Sequence, residues 1–340
     1  MTADYDLAIM SVEICTRQDW ETPGWREQAD SWIGAVCAEL GIGIVHSIRQ
    51  THVRAWSTVM RVEVGERVVW FKANNEAARH EAALLLKMGE WTPGAVPAVI
   101  AADTDLGWFL TEDAGPDLAS LLAADSDVRH WEAALSEYGA LQRSLEPHVS
   151  DMLALGVPDC RPAAMPGLLD DMLGDPGVCG VDEPAGMTQE VHTRLLDFRP
   201  RFAAMCDELD AYGILPSLQH DDLHRSNVFV ADGRHCYLDW ADASAAHPFG
   251  SLIYPLLQAA ELPGGRDPVR IDRLRDAYLE PWTDALDRSA LRTAADLSVK
   301  VASVGRAMVW RRAVTAGDRA ALKEYYATGV PRWLQKILPA

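Results

Sequence analysis

Five residues able to move a proton or hold a cation crowd into the stretch 220–227: His220, Asp221, Asp222, His224 and Asn227. Two short apolar runs follow, at 227–230 and 236–240, separated by Asp232–Gly233, a dipeptide that favours a tight hairpin turn. A hairpin sets the start of its first strand beside the end of its second. Asn227 and Asp239 are therefore expected to lie side by side, with Asp222 held close by the loop. An amide oxygen and a carboxylate are hard ligands, suited to Mg2+ that bridges triphosphate oxygens. A second carboxylate that binds no metal can orient an acceptor hydroxyl and take its proton. The set suits phosphoryl transfer, where positioning and charge neutralisation dominate. Two plainer readings compete. One is a polar surface loop. The other is a metal centre of His220, Asp221, Asp222 and His224, although His-x-x-x-His on a loop is not the helical HExxH signature.

The pattern His220-x-Asp222-x-x-x-x-Asn227, followed by Leu238-Asp239-Trp240, resembles the catalytic loop and metal-binding segment of the aminoglycoside phosphotransferase and choline kinase group. The resemblance implies an α+β, two-lobed protein-kinase-like fold, with a small antiparallel-sheet N-lobe and a larger, mainly helical C-lobe. It implies ATP or GTP as donor and Mg2+ as cofactor. Asp222 would be the catalytic base, Asn227 and Asp239 the Mg2+ ligands, and His220 a support for the loop. The resemblance spans residues 40–255, with the motifs carrying nearly all of it.

Such a site needs a sheet that presents a cation to the nucleotide. Strand-like segments at 43–52, 58–64 and 68–73, a helix at 76–89 and strands at 95–104 and 108–113 give the order β–β–β–α–β–β. Lys72 stands in the apolar run VVWFKA, where an unpaired ammonium would be costly. Its stem can pack in the sheet while its head meets the α/β-phosphates. Glu81 shares a helical stripe with Ala77, Leu85 and Met88, so it faces the sheet and needs a cation. Lys72–Glu81 matches the lysine–glutamate pair of the resembled group. Glu76 competes for Lys72 but sits in the first helical turn, where the helix dipole already explains it. For Lys72 alone, an edge-strand lysine that blunts aggregation is the bland alternative. Asn74 and Asn75 are expected to cap the helix. Between the first two strands there is no glycine, so the G-x-G-x-x-G loop of protein kinases is absent. Ser57 and Thr58 are the candidate phosphate donors there. The resemblance implies that the adenine lies against a hinge, bonding to backbone groups near Thr111, Glu112 and Asp113.

Ala114–Gly115–Pro116 is the expected linker, which divides the chain into an N-lobe of residues 1–113 and a C-lobe of 114–340. The C-lobe reads as a helix from Val128 to Leu145, an irregular 149–186 with a short helix near 167–173, a helix at 200–212, and a long apolar stripe from Leu291 to Met308. The irregular segment is a candidate wall of the acceptor pocket.

Composition narrows the partners. A net charge of −19 argues against nucleic acid or an anionic membrane, since both call for Lys and Arg. It is compatible with a cationic acceptor, an antibiotic or amino sugar, for which Asp221 and Asp242 near the loop and Asp207, Glu208 and Asp210 before it are candidate ligands. His224 is a further supporting or substrate-binding candidate. Scattered cysteines without CxxC spacing read as reduced thiols. Asp4 and Asp6 stand where a secretory signal would be positive, and no apolar run has the length of a membrane span, so a cytoplasmic, soluble protein is expected. The expected function is a small-molecule hydroxyl kinase. The alternatives are a metabolic kinase for a sugar or amino alcohol, and a catalytically silent nucleotide-binding module. The absence of an APE motif makes a protein acceptor the poorer fit.

Overall fold

The computed structural model describes residues 20–54, 56–124, 128–231, 233–262, 265–315 and 327–339. The readings of the N-terminal stretch and of Asp232 fall outside them.

Helix α1 (Pro23–Glu39) precedes five strands: β1 (Val45–Val53), β2 (Ser57–Val64), β3 (Arg67–Asn74), β4 (Val99–Asp103) and β5 (Trp108–Glu112). They form one antiparallel sheet in the order β1-β2-β3-β5-β4. Gly65, at φ +57°, makes the tight β2–β3 turn. Strand periodicity then assigns the faces. Val69, Phe71 and Ala73 point to a core shared with Ala29, Ile33 and Cys37 of α1. Lys72 and Asn74 consequently point the other way. β3 is a central strand, flanked by β2 and β5, so Lys72 is not an edge-strand lysine.

Helix α2 (His80–Trp91) crosses between β3 and β4, preceded by a 3-10 turn at Glu76–Ala78. The expected caps are corrected here. Asn75 occupies the cap position of that turn without a side-chain bond, and the Asn74 amide is drawn instead to Glu81. Buried Ala82, Leu84, Leu85 and Met88 of α2 and Phe109 of β5 join the main core of the helical lobe, so α2 ties the two lobes together.

After β5 come α3 (Leu118–Ala124) and α4 (Arg129–Leu145). The segment 149–186, expected to be mostly irregular, holds α5 (Val149–Ala154), β6 (Asp159–Cys160), α6 (Met165–Leu173) and α7 (Pro176–Cys179). These pieces are too short for a periodic pattern to show in sequence. They are fixed by tertiary packing of Leu169, Met172 and Leu173 against α8 (Gln189–Asp210) and the long α11 (Arg288–Thr315). α8 starts earlier than expected. Thr188 caps it through Val191 N at 3.2 Å. Pro200 inside it has no N–H for the Leu196 carbonyl, and Arg199 Nε fills the gap at 3.0 Å. The helical lobe continues with β7 (Ser217–Gln219), the hairpin β8 (Val228–Ala231) and β9 (Arg234–Tyr237), β10 (Ser244–Ala246), α9 (Ile253–Ala259), α10 (Pro268–Leu279), α11 and α12 (Gly329–Leu334). Strands β6, β10 and β7 form a small sheet beneath the loop that follows β7. The described cysteines, Cys37, Cys160, Cys179, Cys206 and Cys236, are buried free thiols. No helix among the described residues is long and apolar enough to cross a membrane.

Candidate active site

The loop after β7 is held from below by buried polar bonds. Gln142 of α4 is the one polar position on its buried face, and its amide donates to Leu218 O at 2.8 Å. The Tyr138 hydroxyl accepts from His220 N at 3.1 Å. His220 is fully buried and closes the loop onto the hairpin. Its Nε2 donates to Leu238 O at 2.8 Å, and its Nδ1 accepts from Asp222 N at 3.4 Å. Those partners fix the neutral tautomer, and burial pushes its pKa down, which agrees. The ring rests 4.5 Å from that of Trp240, itself a fully buried core residue.

Asn227 completes the loop. Its N donates to His224 O at 2.8 Å and its Nδ2 to Asp222 O at 3.0 Å. Its carbonyl accepts from Leu238 N at 2.9 Å, which sets it directly beside the residue before Asp239. Asp221 and Asp239 both adopt left-handed backbone, at φ +62° and +65°. That conformation costs most residues energy and is tolerated best by glycine, Asn and Asp.

The sheet lobe meets this loop through one carboxylate. Glu81 is 1% exposed, and its Oε2 accepts from Lys72 Nζ at 2.6 Å and Asn74 Nδ2 at 2.7 Å. Its Oε1 accepts from Trp240 N at 2.8 Å. Lys72 Nζ also lies 2.5 Å from Asp239 Oδ1. Burial pushes Glu81 upward in pKa, with Lys72 opposing. Burial works against charge on Lys72, but Asp239 and Glu81 together hold its pKa above the usual value. Asp239, half exposed, is likewise resisted by its surroundings yet held below the carboxylate norm by Lys72. Glu76 pairs with Arg79 instead of Lys72.

Asp222 is partly exposed, with His224 Nε2 at 3.5 Å from Oδ2 and Arg306 Nη2 at 3.8 Å from Oδ1. Burial resists charge on His224, but the adjacent Asp222 carboxylate raises its pKa on balance.

Several expected ligands are engaged elsewhere. Asp221 is buried, not turned to an acceptor. It accepts from Gln219 Nε2 and, at 2.5 Å, from Ser244 Oγ, and burial pushes its pKa up to about 6. Asp242 accepts from Arg306 Nη1 at 3.0 Å. Asp207, Glu208 and Asp210 lie on the exposed face of α8. The Thr58 hydroxyl is fully buried, donating to His52 O and accepting from Gln50 Nε2, both at 2.8 Å, so it cannot serve a phosphate. Ser57 sits at the start of β2 and keeps that candidacy. The side chains of Glu112 and Asp113 are engaged, Glu112 with Arg67 and Asp113 with Trp70 Nε1 and Gly115 N, and the backbone contacts expected of this hinge do not depend on them. The residue that sequence reasoning missed is Arg306. It interrupts an otherwise apolar and small run, VASVGRAMVW at 301–310, and that interruption was the available signal.

No group of three or more His, Cys, Asp or Glu side chains among the described residues is arranged to hold a metal alone. Asn227 and Asp239 do fit a hard divalent cation. One offers an amide oxygen whose NH2 is already spent, the other a half-exposed carboxylate, and Lys72, Glu81 and Asp239 together sum to net negative charge.

No protein-family model and no curated protein matches the chain. Solved structures do. A Plasmodium vivax ethanolamine kinase matches with a TM-score of 0.63 at 10% identity, over 94% of this chain and 90% of that one. A choline kinase from Streptococcus pneumoniae gives 0.59 at 12%, over 91% and 99%. A macrolide 2′-phosphotransferase from Brachybacterium faecium gives 0.52 at 15%, over 84% and 97%. The chain shares with these kinases and phosphotransferases their two-lobed, kinase-like α+β fold.

Proposed function

We propose that the chain is a cytoplasmic small-molecule kinase that moves the γ-phosphoryl group of ATP, or GTP, to a hydroxyl. The observation that carries this reading is the meeting of Lys72 and Asp239 at 2.5 Å, with Glu81 joined to both elements. It sets a buried lysine of the sheet lobe against a carboxylate of the helical lobe, which supports roles for Lys72 at the phosphates and for Asp239 at a metal. The fold of the similar ethanolamine kinase, choline kinase and macrolide phosphotransferase supports it. Residues 1–113 would form the nucleotide lobe and 114–340 the acceptor lobe.

Lys72, oriented by Glu81, binds α/β-phosphate oxygens. Asn227 and Asp239 would hold Mg2+, which when bound would neutralise phosphate charge. Ser57, at the glycine-free β1–β2 turn, offers a donor to the phosphates. The backbone near Thr111 takes the adenine edge. Asp222 orients the acceptor hydroxyl and receives its proton as the oxygen attacks the γ-phosphorus. A new O–P bond forms, the bond to the β,γ-bridging oxygen breaks, and the nucleoside diphosphate leaves. His220 keeps the loop on the hairpin.

A sugar-directed metabolic kinase is the second reading. It is favoured because Asp221 and Asp242, the carboxylates best placed for an ammonium group, are committed to internal partners. The test is a thermal-shift titration with ATP and GTP, with Mg2+ and with EDTA, on the wild type and Asp239→Ala. A Mg2+-dependent rise in Tm that Asp239→Ala abolishes is expected. No rise with either nucleotide in folded protein removes the reading.

A further inference from the structure

Arg306, on α11, is 2% exposed. A buried guanidinium is costly unless it is paired, and here Nη1 and Nη2 are engaged while Nε has no partner among the described residues. Its Nη1 donates to Asp242 Oδ2 at 3.0 Å and its Nη2 to the Tyr254 hydroxyl at 2.8 Å. The guanidinium carbon stands 5.0 Å from the Tyr254 ring centre and 5.9 Å from that of Trp333. Residues from α9, α12 and the segment after β9 thus lock a planar fork in one orientation. The same Nη2 faces Asp222 Oδ1 at 3.8 Å. That is beyond hydrogen-bond length, but it is a short charge–charge distance between a buried cation and a partly exposed carboxylate. His224 stands by the other oxygen, Oδ2, at 3.5 Å. The Asp222 carboxylate therefore sits between a fixed cation and an imidazole, with its two oxygens distinguished.

Resting on the kinase reading above, we propose that Arg306 is a positioning residue for phosphoryl transfer, setting the rotation of the Asp222 carboxylate from a rigid mount formed by Asp242 and Tyr254. It is too deeply buried to bind phosphate or solvent-borne substrate itself. The arrangement also gives Asp242 its role: it anchors the guanidinium that faces Asp222. A misdirected base leaves nucleotide binding intact, because Lys72, Asn227 and Asp239 are untouched, but it spoils the attack geometry. The cost should therefore fall on kcat and spare nucleotide affinity. A residue that served only the packing of α11 would instead move stability and leave kcat alone.

The experiment compares wild type, Arg306→Lys, Arg306→Met and Tyr254→Phe, with MgATP as donor and water or a panel of small alcohols as acceptors. MgATP affinity and Tm are measured in parallel. Arg306→Met should lower kcat about 100-fold with MgATP affinity unchanged, the scale of a misplaced reacting group. Arg306→Lys, which keeps the charge without the fork, should recover part of the loss. Wild-type kcat in folded Arg306→Met, or a kcat loss matched by an equal loss of MgATP affinity, overturns the proposal. Should Arg306→Met not fold, Tyr254→Phe decides. It removes one hydroxyl from the mount and no charge, so a several-fold fall in kcat at unchanged Tm supports the proposal, and wild-type kcat overturns it. If the wild type turns over MgATP with neither water nor any acceptor, the kinase reading fails and this one with it. Turnover in the wild type with an unaffected Arg306→Met or Tyr254→Phe sinks the role of Arg306 alone.

Discussion

Lys72 Nζ lies 2.6 Å from Glu81 and 2.5 Å from Asp239, so one ammonium joins a central strand, the helix behind it and a hairpin 167 positions further along the chain. Two carboxylates around one cation leave the trio negative. That residual charge favours a further cation at Asp239, the exposed member, over Glu81, which is closed off from solvent. The meeting thus bears on stability through Glu81 and, on the kinase reading proposed above, on nucleotide binding.

Lys72→Ala should destabilise the protein by about 3 kcal/mol, because it strands the Glu81 carboxylate in a buried site. The double variant Lys72→Ala/Glu81→Gln should regain much of that loss, since the stranded charge is gone. Urea denaturation near neutral pH reads both. A Lys72→Ala protein as stable as the wild type would show that Glu81 finds another partner.

Asp222→Asn keeps the shape of the side chain but cannot take a proton. Turnover should fall on the order of 1,000-fold, within the range for loss of a general base. The Mg2+-dependent thermal shift with ATP should persist, since Asn227 and Asp239 are unaltered. Substantial residual turnover would assign the proton to another group, with His224 the nearest.

The sequence made one part of this site readable because its signals are local. His220, Asp222, Asn227 and Asp239 lie within one loop and one hairpin, and the short connection between β8 and β9 sets their spacing. Lys72 and Glu81 were readable because a charge in an apolar strand and a charge on an apolar helix stripe each demand a partner. Strand order could not be read so directly, and only the sheet shows β3 to be central, which removes the edge-lysine explanation. Asp221 and Asp242 looked like exposed acceptor ligands because sequence carries no signal for a partner on a distant element. Ser244 and Arg306 are brought to them by β10 and α11. The same holds for 149–186, whose short pieces are set by packing against α8 and α11 rather than by their own periodicity.

Gly250 tests the support under Asp221. A Cβ there would lie 2.0 Å from Gln219 Oε1 and 2.7 Å from the Ala302 Cβ. Gln219 is the residue whose amide donates to Asp221. Gly250→Ala should cost about 2 kcal/mol by overpacking, against the few tenths that Gly→Ala usually gains where there is room. A Tm drop of several degrees in Gly250→Ala is expected, whereas Gly167→Ala, which meets no atom within 4 Å, should leave Tm nearly unmoved.

His247 supplies the pH dependence. It is 4% exposed, its Nδ1 accepts from Phe249 N at 3.4 Å, and its Nε2 has no partner among the described residues. Burial pushes its pKa down to about 3 from an ordinary 6.5. Below 6.5 the unfolded chain takes up a proton that the native protein refuses. This contribution to stability is therefore complete above 6.5 and is lost as pH falls toward 3, at about 1.4 kcal/mol per pH unit. Asp221, raised from 3.8 to about 6, acts in the opposite sense between those values, since its native form holds the extra proton. The clean measurement is a difference. His247→Asn keeps an acceptor for Phe249 N but cannot titrate, and Asp221 cancels between the two proteins. Urea unfolding from about pH 7 down to about pH 5 should show the wild type losing its advantage over His247→Asn, gently around 6.5 and approaching that slope below it. Parallel curves would mean that His247 takes its proton in the native state, and that water reaches its ring.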